Sequence, residues 1–469
     1  MKMNDAKVMT NWRPDPATLI RPAYLSLAEQ IARAIADGDL AEGARLPPHR
    51  RMADDLGLSV QTVSRAYEEL TRRGLIAGEV GRGSFVRAAR AERDPPYLPE
   101  RLGEVIDLSI LKPVSDLFHL EKMREALRCL AETLPPSSVL SFRPNVVFPR
   151  HRSIAADWLR RCGLDVPAHN IILTNGASPA IAAALMSTAP PGAAIAAESM
   201  SHHMLVPLAG YLGITPHAVA GDDEGMLPGA LDALCRAGGI RAVFLQPTVV
   251  NPQTALMGAD RRAELAEVAR RHDLALIEND VLGPLVADRP PPLAAIAPER
   301  TLHIASFTKV AVPGLRFGYL AVPDRFAAAA ANRHLAINWI ANPTMAEIAA
   351  RWIGDGTVEA FIAWQRDALA RRHAIAAAAL ADIPFRAHPQ SLHLWLPLRP
   401  GQNEDMFVSQ ARQRGVAIAP GTAFRIGEGP WPQAVRISVG STSESELRAG
   451  LGAIASLMLA DPEELMLSI

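Results

Sequence analysis

Cysteine is scarce. Cys129, Cys162 and Cys235 lie far apart. An odd, sparse set offers no disulfide framework and no metal-ligand spacing, so no metal is expected, and it fits a reducing cytosol. Net charge is also nearly absent, with 48 Lys and Arg against 49 Asp and Glu for a formal −1. The molecule as a whole is therefore not a polybasic nucleic-acid binder, and any DNA contact must come from a local patch. The opening MKMNDAKVMTNWRP has no apolar signal core. The longest apolar stretches are Ala-rich and broken by Gly, Pro or His, so no membrane span is expected and a cytoplasmic protein is. No internal repeat is found.

What is present is an ordinary globular composition, 49% hydrophobic and 21% charged, over 469 residues. That length is too great for one hydrophobic core, so at least two domains are expected. Residues 15–87 read as helices followed by a hairpin, and 88–106 as a charged linker stiffened by Pro95, Pro96 and Pro99. From 107 to 469, strand-like runs such as IILT, AIAAE, AVFLQP, LALIEND and HIASF alternate with Ala/Leu-rich helices. That alternation predicts an α/β domain with helices on both faces of a sheet expected to be mixed and mostly parallel. From about 345 to 469 the pattern changes to a long helical stretch, then HLWLP, AVRISVG and a final helix. This reads as a smaller α+β subdomain. The terminal DPEELMLSI reads as a solvated or lightly docked tail.

Near the N-terminus, Leu27, Ile31 and Ile35 give one amphipathic helix. A second follows LPP and stops at Gly57. Ser59 can cap a third, which buries Val63, Tyr67 and Leu70. Two helices separated by a short glycine turn form the helix-turn-helix layout, and the EVGRG hairpin would be a wing. Gln61, Thr62, Ser64 and Arg65 on the third helix could reach base edges. Arg50 could reach a phosphate, and Arg82 and Gly83 at the hairpin tip suit a minor groove. Taken one at a time, such residues more often just solvate a helix bundle. Together, LPPHRRMADDLGLSVQTVSRAYEELTRRGLI and GRGSFV resemble the GntR-type winged helix. Val60 stands where the family often has arginine or a similar polar residue, and Ser64 where many members carry arginine.

The strongest chemical signal is HIASFTKVAVPGLRFGYL. Lys309 at a strand end can form a Schiff base with an aldehyde cofactor. Ser306, Thr308 and Arg316 would surround a phosphate with hydroxyls and one positive charge. A lone loop lysine is usually an ordinary surface residue, but four more segments fit the same cofactor. LTNGASPAIAAAL would offer backbone N–H groups of Ala177 and Ser178 at a helix N-terminus. His202 could stack on a pyridine ring. Asn251 could donate to its phenolate oxygen. Asn279 or Asp280 ends a strand near the pyridine nitrogen, where a carboxylate would keep that nitrogen protonated.

These segments, with DDEGMLP and APGTAF…VRISVG, resemble the class I aminotransferases of pyridoxal-phosphate fold type I. In that pattern Arg436 matches the arginine that binds a substrate α-carboxylate. Here Glu278-Asn279-Asp280-Val281-Leu282 replaces the usual E-D-D-x-Y, so Asn279 holds the carboxylate's place unless Asp280 has taken over. Leu282 replaces a tyrosine that bonds the phenolate oxygen, and His202 a stacking tyrosine. A weaker electron sink should slow carbanion chemistry more than Schiff-base formation.

A GntR-type winged helix fused to such a domain resembles the MocR family of bacterial regulators. The resemblance implies pyridoxal 5'-phosphate as cofactor, double-stranded DNA as partner, a small amino compound as effector and a homodimer. A working aminotransferase with an appended DNA-binding domain is the competing reading. A cofactor-free regulator is a third, against which Lys309 and Arg316 count.

Overall fold

The computed structural model describes residues 12–41, 43–72, 75–79, 83–86, 105–427 and 431–460. Most of the expected linker, Arg82 and the C-terminal tail lie outside these residues. The chain divides into two compact units, Met1–Leu98 and Pro99–Ile469.

In the first unit, helices α1 (Ala23–Ala36), α2 (His49–Leu56) and α3 (Val60–Arg72) precede β1 (Ile76–Glu79) and β2 (Gly83–Val86). Apolar residues three and four apart put one stripe of each helix inward. Leu27 and Ile31 of α1, Met52 and Ala53 of α2, and Val63, Tyr67 and Leu70 of α3 meet in one core. Gly57 ends α2 in the left-handed conformation, φ 65° and ψ 30°, which costs glycine little. Two residues on, Ser59 Oγ accepts from the Thr62 N–H at 3.1 Å and closes the N-terminus of α3. The Tyr67 hydroxyl donates to the Pro47 carbonyl at 2.8 Å and ties α3 to the chain before α2. β1 and β2 pair antiparallel, Ile76 opposite Val86.

The second unit opens with β3 (Ile106–Asp107), which pairs in parallel with Val416–Ala417. Ile106 was expected to end the linker; instead its N–H donates to the Gly415 carbonyl at 2.8 Å. Helices α4 (Leu117–Thr133), α5 (Pro136–Leu140), α6 (Pro144–Val147) and α7 (Pro149–Arg161) follow. Proline begins the last three, where its fixed φ suits the helix and no hydrogen bond is lost.

The main sheet is built from β4 (Ile171–Thr174), α8 (Ala177–Thr188), β5 (Ala194–Glu198), α9 (Leu205–Tyr211) and β6 (Thr215–Val219). A small hairpin, β7 (Gly221–Asp222) and β8 (Gly225–Met226), interrupts the alternation. Then come α10 (Pro228–Arg236), β9 (Ile240–Leu245), α11 (Ala259–Arg271), β10 (Ala275–Asn279), α12 (Leu293–Ile296), β11 (Thr301–Ser306), β12 (Gly318–Ala321) and α13 (Asp324–Asn338). The seven strands run in the order β4-β12-β11-β10-β9-β5-β6. All are parallel except β12, which is antiparallel to both neighbours. Alternation along each strand divides the residues between two faces. Phe244, Ala275, Ile277, Leu302 and Ile304 pack on Ala180, Ile181 and Ala184 of α8. Val243, Leu245 and Leu276 pack the other way, on Leu231 of α10 and Leu265 and Ala269 of α11.

The long helical stretch expected from 345 to 380 is two helices, α14 (Pro343–Gly354) and α15 (Thr357–Ala379). Gly356, at φ 83°, turns the chain between them. After them come β13 (Arg386–Ala387), β14 (His393–Pro397), α16 (Glu404–Gln413), β15 (Val416–Ala417), β16 (Ala419–Pro420), β17 (Ala434–Ser438) and α17 (Glu444–Leu459). A four-stranded sheet, β13-β14-β17-β16, covers this part. Among the described residues no helix is long and apolar enough to cross a membrane.

Candidate functional site

Several strand ends and loops of the α8 side converge. Lys309 lies three residues beyond β11, and its Nζ donates to the Leu111 carbonyl. Burial, then the nearby Arg436 and Arg316 guanidinium groups, push its pKa down to about 7. Removing a charge from water and placing it beside like charges both favour the neutral amine. The neutral, nucleophilic form is thus favoured far more than in an exposed lysine.

A cradle for an anion lies beside it. Gly176 (φ +88°) precedes α8 and supplies no side-chain cap for the helix's first-turn N–H groups, which Ala177 and Ser178 begin. A Cβ at Gly176 would stand 3.2 Å from Arg316 Nη2 and 3.6 Å from Thr308 Oγ1. Thr308 is held in turn by Ser306, whose Oγ accepts from the Thr308 N–H at 3.2 Å. Arg316 sits in the left-handed region, φ 44° and ψ 51°, a conformation that costs a non-glycine residue energy. Two hydroxyls, one guanidinium and a helix N-terminus in one place match the chemistry of a phosphate ester.

His202 stacks on His203, with ring centroids 4.7 Å apart, and meets the edge of Phe244 at 6.5 Å. Burial, then His203, Lys309 and Arg436, hold its pKa well below the usual histidine value. It is thus a neutral flat ring next to the lysine. Arg436, buried on β17, donates through Nη1 to Asn251 Oδ1 at 3.1 Å and through Nη2 to the Ser109 carbonyl. Burial lowers its pKa to about 10, opposed by the Asp107 carboxylate. Lys309, Arg316, His202, Asn251 and Arg436 therefore form one cluster.

Asn279 and Asp280 part company. Asn279 continues the α8 face of β10 after Ala275 and Ile277; it is buried, and its Oδ1 has no partner. Asp280 is buried in an ion pair with Arg289, whose Nη2 also donates to the Cys162 carbonyl at 2.7 Å. Asp280, a candidate from the sequence, is thus not brought to the cluster. Strand alternation aims it away and Arg289 holds it there.

In the first unit, Arg50, Gln61 and Arg65 are exposed, and Thr62 is half-buried. The Arg65 guanidinium lies 4.0 Å from the centre of the Tyr24 ring. Ser59 is occupied as the α3 cap. Ser64 turns toward α2, with Oγ 3.0 Å from His49 Nδ1. Gly83 is exposed at φ +115°, and a Cβ there would meet Arg45 Nε at 3.0 Å. Arg45 was missed because nothing in the motif marks it. Its bridge to Phe85 brings it to the hairpin. The carbonyls of Ser109 and Leu111 were missed because backbone acceptors carry no residue-type signal.

The family described as Aminotransferase class I and II matches residues 105–454. That described as Bacterial regulatory proteins, gntR family, matches 23–86. The chain is 28% identical to the uncharacterized HTH-type transcriptional regulator YdeF of Bacillus subtilis, over 96% of this chain and 97% of that one. It is 27% identical to the HTH-type pyridoxine biosynthesis transcriptional regulator PdxR of Corynebacterium glutamicum, over 92% of this chain and 94% of that one. Among solved structures, a Pyrococcus horikoshii kynurenine aminotransferase superposes with a TM-score of 0.70 at 20% identity, over 77% of this chain and 93% of that one. A Thermus thermophilus aspartate aminotransferase with maleate gives 0.66 at 20% identity, over 88% of this chain and 97% of that one. These two carry the fold. The chain belongs to the aminotransferase class I and II family and joins that domain to a gntR-family winged helix, the pairing of MocR-type transcription regulators.

Proposed function

We propose that this protein is a DNA-binding transcription regulator whose aminotransferase-like domain holds pyridoxal phosphate at Lys309 and responds to the cofactor or to an amino compound that joins it. The observation that carries this is the cluster of a near-neutral Lys309, the Gly176–Thr308–Arg316 cradle and the buried Arg436, on a chain that also has a winged helix. Pyridoxal phosphate, when bound, supplies an aldehyde that condenses with primary amines and a ring able to accept negative charge.

The side chains present fit that group. Lys309 offers the amine. Ser306, Thr308, Arg316 and the first turn of α8 would hold the phosphate. The neutral ring of His202 offers a face to the pyridine. Asn251 has Oδ1 engaged by Arg436 and keeps Nδ2 to donate to a ring oxygen. Arg436 presents a fork for a carboxylate, so an amino acid is the effector class best matched. Through Arg50, Gln61, Thr62 and Arg65, with Arg45 beside the hairpin, the first unit would contact DNA. Those positions carry the phosphate and base contacts that such a helix pair makes.

A homodimer is supported by apolar side chains left open on the second unit. Val139, Leu140, Phe142 and Trp339 are 63%, 82%, 63% and 53% exposed. Trp339 Nε1 donates to the Phe142 carbonyl at 3.1 Å, so Trp339 and Phe142 belong to one patch. Large open apolar patches mark contact surfaces. As a relative of bacterial regulators that bind DNA, the protein would act in the cytoplasm.

The test is the absorption spectrum of the protein with added pyridoxal phosphate, beside Lys309→Ala, followed by binding to its upstream DNA with and without cofactor and amino acids. A visible band in the wild type alone, and operator affinity that moves with ligand, are the expected results. No band, or affinity indifferent to every ligand, would overturn the proposal.

A further inference from the structure

We infer that Asn279 leaves the ring nitrogen of bound pyridoxal phosphate unprotonated, so that this site captures amines without converting them. The inference rests on the cofactor reading above and extends it to what happens after capture.

Position comes first. β10 places Ala275 and Ile277 against α8 and Leu276 against the opposite helices. Glu278 also faces the opposite side, where it accepts from the Leu293 and Ala294 N–H groups of α12 and pairs with His303 at 2.9 Å. By the two-residue alternation, Asn279 returns to the α8 face, and there its amide is buried with Oδ1 unpartnered. An unpartnered buried amide oxygen costs free energy unless something meets it. His202 reaches the same face through Phe244 of the neighbouring strand β9. Asn279 is therefore the polar side chain at this strand end that is aimed at the ring site and free to pair with it.

Charge comes second. A ring nitrogen holds a proton when an anion stands beside it. An amide carries no charge, and a half-turn about χ2 exchanges its two ends, so that N–H2 takes the place of the unpartnered Oδ1 and donates to a nitrogen lone pair. The next carboxylate along the strand, Asp280, lies on the other face and is neutralised by Arg289. Glu278 lies on that other face too, held by His303. The charged groups of the cluster itself, Arg316 and Arg436, are cationic, with the Asp107 carboxylate acting on Arg436. Nothing in this set favours a second positive charge on the ring. A neutral ring nitrogen withdraws electrons weakly, so breaking a bond at the bound amine's α-carbon is slowed, while exchange of one amine for another at the aldehyde carbon is not. A sensor gains from that difference, because its effector survives the reading.

The direct test uses the full-length protein loaded with pyridoxal phosphate carrying 15N in the ring. The nitrogen resonance should sit at the position of an unprotonated pyridine in the wild type and move to the protonated position in Asn279→Asp. Asp280→Asn should leave it unmoved. Incubation with an amino acid should shift the visible band of the wild type without accumulating pyridoxamine phosphate, whereas Asn279→Asp should accumulate it. A protonated nitrogen in the wild type, or one that responds to Asp280→Asn, overturns this inference and leaves the cofactor reading standing. The absence of any lysine-dependent visible band overturns the cofactor reading, and this inference with it. The wild-type resonance decides the matter even if Asn279→Asp fails to fold.

Discussion

The amine of Lys309 should titrate near neutrality in the cofactor-free protein. An ordinary lysine has a pKa of about 10.4, so at pH 7 well under 0.1% of it is free amine. With a pKa of about 7, roughly half of Lys309 is free there, about a thousandfold more. Burial contributes most of the shift, followed by Arg436 and then Arg316. The assay is competitive labelling by a small acylating reagent across pH 5–11, read by peptide mass spectrometry. Lys122 on α4, with its side chain 36% exposed, serves as the internal reference. The Lys309 rate should reach half its plateau near pH 7. Arg436→Met should raise the midpoint by removing one positive neighbour. Stability follows the same linkage. The unfolded chain binds a proton that the folded chain rejects, so the penalty, on the order of 5 kcal/mol, is full below pH 7 and fades as pH rises toward 10. Lys309→Met should remove that pH dependence from the unfolding curve. A labelling midpoint above pH 9.5 would refute the reasoning, since it would mean that neither burial nor the two arginines act on this amine.

Other perturbations test neighbouring parts. Arg289→Met should destabilise the second unit by about 3–5 kcal/mol, because it strands the buried Asp280 carboxylate. Adding Asp280→Leu should recover much of the loss in a thermal melt, and no recovery would mean that the ion pair is not what matters. Gly176→Ala should weaken cofactor binding about tenfold in a spectroscopic titration, because the new Cβ meets Arg316 Nη2 at 3.2 Å and φ is +88°. Equal affinities would remove Gly176 from the cradle. Gln61→Ala should change base preference at one operator position by about 1–3 kcal/mol, and Arg50→Ala should lower affinity evenly and reduce its salt dependence. Tyr67→Phe removes the bond to the Pro47 carbonyl and should cost the first unit about 1 kcal/mol in denaturant unfolding.

Where residue type and spacing carry the information, the chain could be read directly. Gly57 before Ser59 marks the turn because one tolerates the left-handed conformation and the other caps a helix. Lys309, seven residues before Arg316 across a Pro-Gly turn, marked the cofactor loop. The sheet was legible as mixed and mostly parallel, with buried strands alternating with helices, although which strand runs antiparallel was not. Asn279 and Asp280 show where reading stops. They are neighbours in sequence and opposite in the sheet, so a choice between them needs the strand's phase. Arg289, which decides the matter, arrives from a loop with no motif. β3 was lost in the linker because two residues have no period, and their partners are more than 300 residues away. Ser64 sat at an attractive position for DNA, but the turn of α3 aims it at His49.

The segment that begins with Ile106–Asp107 gives the site a mechanical character. It joins β15 and within a few residues lends the Ser109 carbonyl to Arg436 and the Leu111 carbonyl to Lys309. The two groups on which an amino acid and its cofactor would fasten are thus already fastened to the opening segment of the second unit. A ligand that took both groups for itself would first unlatch that segment. The seating of residues 106–111 and the occupancy of the pocket would then be one and the same variable.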